Sequence, residues 1–382
     1  MSVTAAQGFT AAGHTAGIKA SGRPDLAVVR NLGPDQHAAA VFTSNRVQAA
    51  PVQWSRKVCD GRLAGVVLNS GGANACTGAP GYADAEQMAR LTAREWSVDA
   101  TEVAVCSTGL IGERLPMTLL EAGIPQVCSA ADGEGGEAAA GAILTTDTVS
   151  KLAVHRGDGW TLGGMAKGAG MLAPGLATML VVITTDAVTS PEDLQQALAA
   201  ATEVTLNRVD SDGCMSTNDT VLLLASGASG VEVDLPELTG ALTGVCHDLG
   251  QQLLADAEGA RHDIAVEVVG AASEADAVEV GRAVTASNLF KCAIFGEDPN
   301  WGRVLSAVGT TNAQFDPDAL DVSFNGITVC RGGGIGEDRS LVDLSDRKVH
   351  VRIDLYAGAE SATVWTNDLT YDYVRENAEY ST

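Results

Sequence analysis

Gly163-Gly164-Met165-Ala166-Lys167-Gly168-Ala169-Gly170-Met171-Leu172-Ala173-Pro174-Gly175-Leu176-Ala177-Thr178-Met179-Leu180-Val181-Val182 is the stretch on which the reading of this chain turns. It reads as a glycine-rich loop carrying one lysine, a Pro174-Gly175 turn, and Ala177-Thr178 at the mouth of an apolar strand. A phosphate-binding P-loop needs G-x-x-x-x-G-K-[ST], whose hydroxyl beside the lysine holds magnesium. Here Gly168 follows Lys167, and the dinucleotide pattern G-x-G-x-x-G is not met either. The threonine has two readings. A strand threonine is ordinarily structural. A threonine whose own α-amine is freed by cleavage of the preceding peptide bond gains a base beside its hydroxyl and becomes a nucleophile. A strained turn ahead of Thr178, with Lys167 and many backbone N–H groups nearby, suits the N-to-O acyl shift that such cleavage requires. Spacing alone leaves both readings standing.

Outward from that stretch, 382 residues suggest two or three domains. A composition of 46% apolar and 19% charged residues excludes a largely disordered chain. The formal net charge of −24 makes nucleic acid and anionic membrane surfaces unexpected partners, and leaves small cationic or zwitterionic ligands compatible. No apolar run reaches the roughly 18–20 residues of a membrane span. The N-terminal segment lacks a basic region followed by a continuous apolar one, so a cytoplasmic location is expected. The eight cysteines form no C-x-x-C and the six histidines no H-E-x-x-H, so neither a metal site nor a cofactor is expected, and the thiols read as buried and free. Charge is uneven: residues 1–177 hold 13 basic and 15 acidic residues, residues 178–382 hold 11 and 33.

Short β-branched runs alternate with helical patterns. Strands are expected over 38–42, 65–68, 103–106, 179–184, 221–224, 264–269, 322–324, 349–355 and 362–366, and helices over 84–95, 191–205, 238–258, 274–284 and 301–308. Ser190-Pro191-Glu192-Asp193 and Ser273-Glu274-Ala275-Asp276 carry capping signals. Leu242, Val245, Cys246, Leu249 and Leu253 fall on one helical face, with the helix expected to end near Gly259. The absence of a regular βαβ period favours an α+β layered sandwich.

The chain resembles the ornithine acetyltransferases (glutamate N-acetyltransferases) along essentially its whole length. Met165 to Pro174 followed by Ala177-Thr178-Met179-Leu180 carries the signature. Matching segments are Asn69-Ser70-Gly71-Gly72-Ala73-Asn74-Ala75-Cys76-Thr77-Gly78, Ser107-Thr108-Gly109-Leu110-Ile111-Gly112 and Thr145-Thr146-Asp147-Thr148. Further on come Ser216-Thr217-Asn218-Asp219-Thr220, Asp256-Ala257-Glu258-Gly259, Asp298-Pro299-Asn300-Trp301-Gly302-Arg303 and the tail Asn377-Ala378-Glu379-Tyr380-Ser381-Thr382. Gly72 departs from the pattern, which often has Asn there, at a position with no assigned catalytic role.

The resemblance implies an αββα sandwich like that of self-cleaving amidohydrolases, with a smaller C-terminal α/β portion. It implies self-cleavage between Ala177 and Thr178 into an α-chain (1–177) and a β-chain (178–382), which associate further as α2β2. Thr178 would take an acetyl group from N-acetylornithine and pass it to glutamate in a ping-pong reaction of arginine biosynthesis, with acetyl-CoA as a possible further donor. Thr108 and Gly109 match the oxyanion hole, although Ser-Thr-Gly otherwise reads as a turn ending a strand. Thr145, Lys167, Thr178, Glu258, Asn377 and Thr382 fall at substrate-binding positions. Lys167 is expected to neutralise a substrate carboxylate, and Glu258 to receive ornithine's side-chain ammonium. The three tyrosines among the last twelve residues suggest a tail packed down over the ligand. Two alternatives share parts of this reading: a self-cleaving amidase or aminopeptidase giving its acyl group to water, and a binding protein built on the glycine-rich loop.

Overall fold

The computed structural model describes residues 2–171 and 179–379. Thr178, Ala177, Thr382 and the Pro174-Gly175 turn lie outside the described residues. Strands Phe9–His14, Leu26–Asn31, Gly65–Ser70 and Val103–Thr108 form one sheet in that order, antiparallel except for the last pair. A second sheet runs His37–Phe42, Thr220–Ala225, Leu180–Thr185, Thr161–Lys167 and Lys151–Arg156, with only Thr220–Ala225 and Leu180–Thr185 parallel.

The two sheets stack, and the period of two along each strand explains why. Leu180, Val182, Leu222 and Leu224 face the first sheet, where they share a core with Val29, Val66 and Leu68. Their neighbours Val181, Ile183, Val221 and Leu223 point the other way, into a core closed by helices Pro191–Glu203 and Leu235–Ala255. Both faces are therefore buried, which is why these strands are continuously apolar. Helices Ala50–Val58, Gly78–Trp96 and Met117–Ser129 cover the first sheet's outer side, with Trp54 donating its indole N–H to Val103 O at 3.0 Å. The layers are αββα. A third sheet, ordered Gly334–Ile335, Ile327–Arg331, Asp321–Phe324, Lys348–Asp354, Asp263–Ala271 and Glu360–Asn367, is backed by helices Glu274–Thr285, Asn288–Phe295 and Trp301–Val308 and has its own core. This is the smaller C-terminal α/β portion.

Both expected caps are present: Ser190 accepts Asp193 N–H and Ser273 accepts Asp276 N–H, each at 3.1 Å. Three expectations need correcting. Gly163 and Gly164 belong to the strand Thr161–Lys167, not to a loop. A Cβ at Gly163 would lie 2.2 Å from Ser2 O, and one at Gly164 3.1 Å from Leu249, so these glycines admit close neighbours on either face. The helix expected to reach Gly259 ends at Ala255, because the side chain of Asp256 is engaged by Lys151 and Thr148 and the chain turns away. The thiols are not uniformly buried: Cys106, Cys246 and Cys330 are, whereas Cys76 and Cys214 are exposed in loops and Cys292 on a helix.

Candidate active site

Thr108 closes the strand Val103–Thr108, and its carbonyl accepts N–H from Gly71 at 2.9 Å and Gly72 at 3.0 Å. Beneath it, Ser107 donates to Asn69 Oδ1 at 2.6 Å, and Asn69 Nδ2 donates to Gly72 O at 3.1 Å. The Asn69–Gly78 motif is therefore the buried buttress of this turn. Gly109 N–H has no partner among the described residues. Lys167 closes strand Thr161–Lys167 of the facing sheet, is 1% exposed, and pairs in register with Leu180. Its Nζ donates to Thr108 Oγ1 at 3.2 Å. An ammonium has only donors, so Thr108 Oγ1 must accept, and its own proton is left to point elsewhere, polarised by the charge behind it. Burial lowers the Lys167 pKa against the opposing pull of Asp147.

Asp147 is the hub under the pocket. Its Oδ1 accepts Lys151 Nζ and Gly168 N–H, both at 2.6 Å, while Oδ2 accepts Thr145 N–H at 3.0 Å and lies 3.9 Å from Lys167 Nζ. Burial would raise its pKa, but the Lys167 and Lys151 ammoniums outweigh burial and bring it down to about 2. Lys151, fully buried, also pairs with Asp256, which in turn holds Thr148 N–H at 2.9 Å. One buried network thus fixes the Thr145 loop, the end of the Lys167 strand and the turn leading to Glu258.

Glu258 is half-buried, and its N–H donates to Ala169 O at 2.9 Å. Burial pushes its carboxyl pKa up, tempered by hydrogen bonds from Thr146 and Asn377 and reinforced by Asp212 and Glu376. Space around it is kept by small residues: a Cβ at Gly170 would come within 2.9 Å of the Glu258 carboxyl. Gly259 has φ +62, and a Cβ there would lie 2.2 Å from Tyr373 N, so only glycine lets the C-terminal helix Tyr371–Glu379 settle on this loop. Thr370 Oγ1 donates to Gly259 O at 2.6 Å and holds it there.

Thr108, Gly109, Thr145, Lys167, Glu258 and Asn377 line one pocket, although they come from five separate places in the sequence. Thr178 and Thr382 lie outside the described residues. Thr146, Gly170, Met171 and Glu376 line the pocket too, and sequence reading gave them no role. Each is a neighbour of a residue it did single out or lies in the signature loop. The tail is a helix resting on the pocket's edge, but Tyr371 is 83% exposed, so its aromatic cluster is only partly packed. The Ser216–Thr220 motif, also without an expected role, brackets the site from behind. Buried Asp219 accepts Met179 N–H at 3.1 Å, and Asn218 Nδ2 donates to Ser107 O at 2.8 Å and Ala73 O at 2.7 Å. The residue after Thr178 and the residue before Thr108 are thereby tied to adjacent side chains.

The model of the ArgJ family matches residues 10–382. The arginine biosynthesis bifunctional protein ArgJ of Streptomyces coelicolor is 63% identical over 382 residues, covering 100% of both chains. The protein of that name from Mycobacterium tuberculosis is 53% identical over 388 residues, covering 99% of this chain and 96% of that one. A solved structure of the M. tuberculosis ornithine acetyltransferase complexed with ornithine is 55% identical with a TM-score of 0.45, over 47% of this chain and 96% of that one. With a family match over almost all of the sequence and full-length relatives at such identity, this chain belongs to the ArgJ family.

Proposed function

We propose that this acyltransferase moves the acetyl group of N2-acetyl-L-ornithine to L-glutamate through an acetyl ester on Thr178, after cutting itself between Ala177 and Thr178. The observation that carries the reading is the single pocket on which Thr108, Gly109, Thr145, Lys167, Glu258 and Asn377 converge, with Met171 of the signature loop on its lining.

In the cleavage, Thr178 Oγ1 attacks the Ala177 carbonyl. An ester forms as the C–N bond breaks, and water then hydrolyses the ester, leaving an Ala177 carboxylate and a free Thr178 α-amine. In the transfer, that amine takes the hydroxyl proton as Oγ1 attacks the acetyl carbon. The developing oxyanion is met by the Thr108 hydroxyl and the Gly109 N–H, donors worth about 3 kcal/mol each. Collapse expels ornithine with the proton on its α-amine. The neutral α-amine of glutamate then attacks the ester, and N-acetylglutamate leaves as Oγ1 recovers its proton. Lys167 holds the substrate carboxylate. Glu258 receives the δ-ammonium, to which the acidic second half of the chain is suited, and Asn377 and Thr382 supply polar contacts to the amino-acid end. Fragments 1–177 and 178–382 remain associated, as α2β2.

A denaturing gel of the purified protein should show two fragments. N-acetylornithine alone should release one equivalent of ornithine and add one acetyl group to the fragment beginning at Thr178, and glutamate should discharge it faster than water does. Thr178→Ala should stay one chain and be inactive. Acetylation that requires both substrates together, or transfer by uncut Thr178→Ala, would overturn the reading.

A further inference from the structure

The reaction proposed above sets a problem of charge. Its two substrates share an amino-acid end and take turns at one nucleophile, yet their side chains carry opposite charges. A pocket wall built from Glu258 and Glu376 suits the ammonium and repels the carboxylate. The acceptor's side chain needs another place to lie.

We propose that the groove formed by Lys19 and Arg23, alongside the catalytic pocket, is a separate subsite for the side-chain carboxylate of the acceptor. This rests on the function proposed above. The groove shares Gly109 and Thr145 with the catalytic pocket, so a ligand whose amine faces the oxyanion residues can extend into it. Its loop is firmly built. Buried Asp25 accepts four successive N–H groups, from Ala16 at 2.7 Å, Gly17 at 3.1 Å, Ile18 at 2.6 Å and Lys19 at 3.0 Å. The Lys19 stem passes so close to Gly71 that a Cβ there would lie 3.2 Å from Lys19 Cγ. Lys19 Nζ donates to Pro24 O at 2.8 Å and to Leu144 O at 2.6 Å, one residue before Thr145. An ammonium has three donors, so one remains for a ligand.

The charge there is undercompensated. Burial and the neighbouring Arg23 and Lys167 cations bring the Lys19 pKa down to about 8, despite Asp25 and Asp147, so an incoming carboxylate would stabilise its charged form. Arg23 is exposed, and its guanidinium pairs with no carboxylate among the described residues. Glu113 also lines the groove, at its exposed side. In a chain with 48 acidic and 24 basic residues, this groove sets Lys19 and Arg23 against Glu113 alone, a local excess of positive charge. An anion would enter from this side.

The test separates the two half-reactions. Wild-type and Arg23→Gln enzyme are acetylated with N-acetylornithine, and discharge is then followed with glutamate and with glutamine as acceptors. Loss of a charge-assisted contact should raise the KM for glutamate by about 10–100-fold in Arg23→Gln. The acetylation rate should stay within about twofold of wild type, and the preference for glutamate over glutamine should collapse. Lys19→Met should lose the same preference, and Lys19→Arg should restore part of it. An unchanged preference in both variants, or equal slowing of both half-reactions, would overturn the subsite while leaving the parent reaction standing. A wild-type enzyme that N-acetylornithine fails to acetylate would overturn both.

Discussion

One proton decides what Thr108 can do. With Lys167 donating to Oγ1 at 3.2 Å, the hydroxyl cannot donate back to the lysine and is directed away from it. Thr108→Ala should slow formation of the acetyl-enzyme by about 10²–10³-fold, while Thr108→Ser retains most of the rate, both read from the ornithine burst. Glu258 makes the opposite trade. Its raised pKa means that its favourable contribution to folding is complete below about pH 4, the range of an unfolded glutamate, and is lost as pH rises through the folded value. Glu258→Gln should therefore match or exceed wild-type resistance to urea at pH 7, with the difference vanishing near pH 4. The same substitution should sharply reduce kcat/KM for N-acetylornithine, because the amide cannot pair with the ammonium. A stability loss at pH 7 would contradict this account of the carboxyl.

Among the elements, the C-terminal helix Tyr371–Glu379 is the one with most function per contact. It is tied down by Thr370 on Gly259 and by the Arg261–Asp372 pair at 3.4 Å, and it brings Glu376 and Asn377 to the pocket. Removing residues 377–382 should leave self-cleavage intact and lower kcat/KM for N-acetylornithine by about 10²–10⁴-fold, the worth of two hydrogen bonds to a charged ligand. Gly259→Ala should imitate that loss in a full-length chain, since its methyl would collide with Tyr373 N. Wild-type kinetics in both would make the helix a spectator. Elements with a strong local signal were legible in advance: the strands around Val66, Val105, Val182 and Leu223, and the helices capped by Ser190 and Ser273. Others were silent for local reasons. Phe9–His14 reads FTAAGH, with no β-branched run, and is a strand because Leu26–Asn31 pairs with it; Met117–Ser129 runs through an interior Pro125 that reads as a break. The site residues were legible through motifs and resemblance. The Asp147–Lys151–Asp256 network was not, because its members serve one another through space and no spacing announces that.

At the scale of the whole molecule, the proposed cut would divide one sheet between the two fragments. His37–Phe42, Lys151–Arg156 and Thr161–Lys167 precede Thr178, Leu180–Thr185 and Thr220–Ala225 follow it, and Thr161–Lys167 is hydrogen-bonded directly to Leu180–Thr185. The two fragments should co-elute through native chromatography and part only in denaturant. The buried ions beside this sheet govern acid resistance. Asp147, held near 2, stabilises the fold fully above about pH 4, and that contribution fades as pH falls toward 2. Lys151→Met would take the ammonium from Asp256 and leave Asp147 only Lys167, and should cost about 3–5 kcal/mol at pH 7 in urea denaturation. A cost near zero would mean that the triad is dispensable.

That interleaved sheet also sets the terms on which the mature enzyme persists. The strands that meet across it assemble while they are still parts of one polypeptide, so the search for the native pairing is intramolecular. After the proposed cut, any molecule that opens fully would become two molecules, and reassembly would turn second-order in a dilute solution. Return is slower than departure, and longevity passes from an equilibrium to the height of the unfolding barrier. A mature enzyme denatured and diluted should regain activity in proportion to its concentration, whereas the uncut Thr178→Ala chain should regain its fold at a rate indifferent to it.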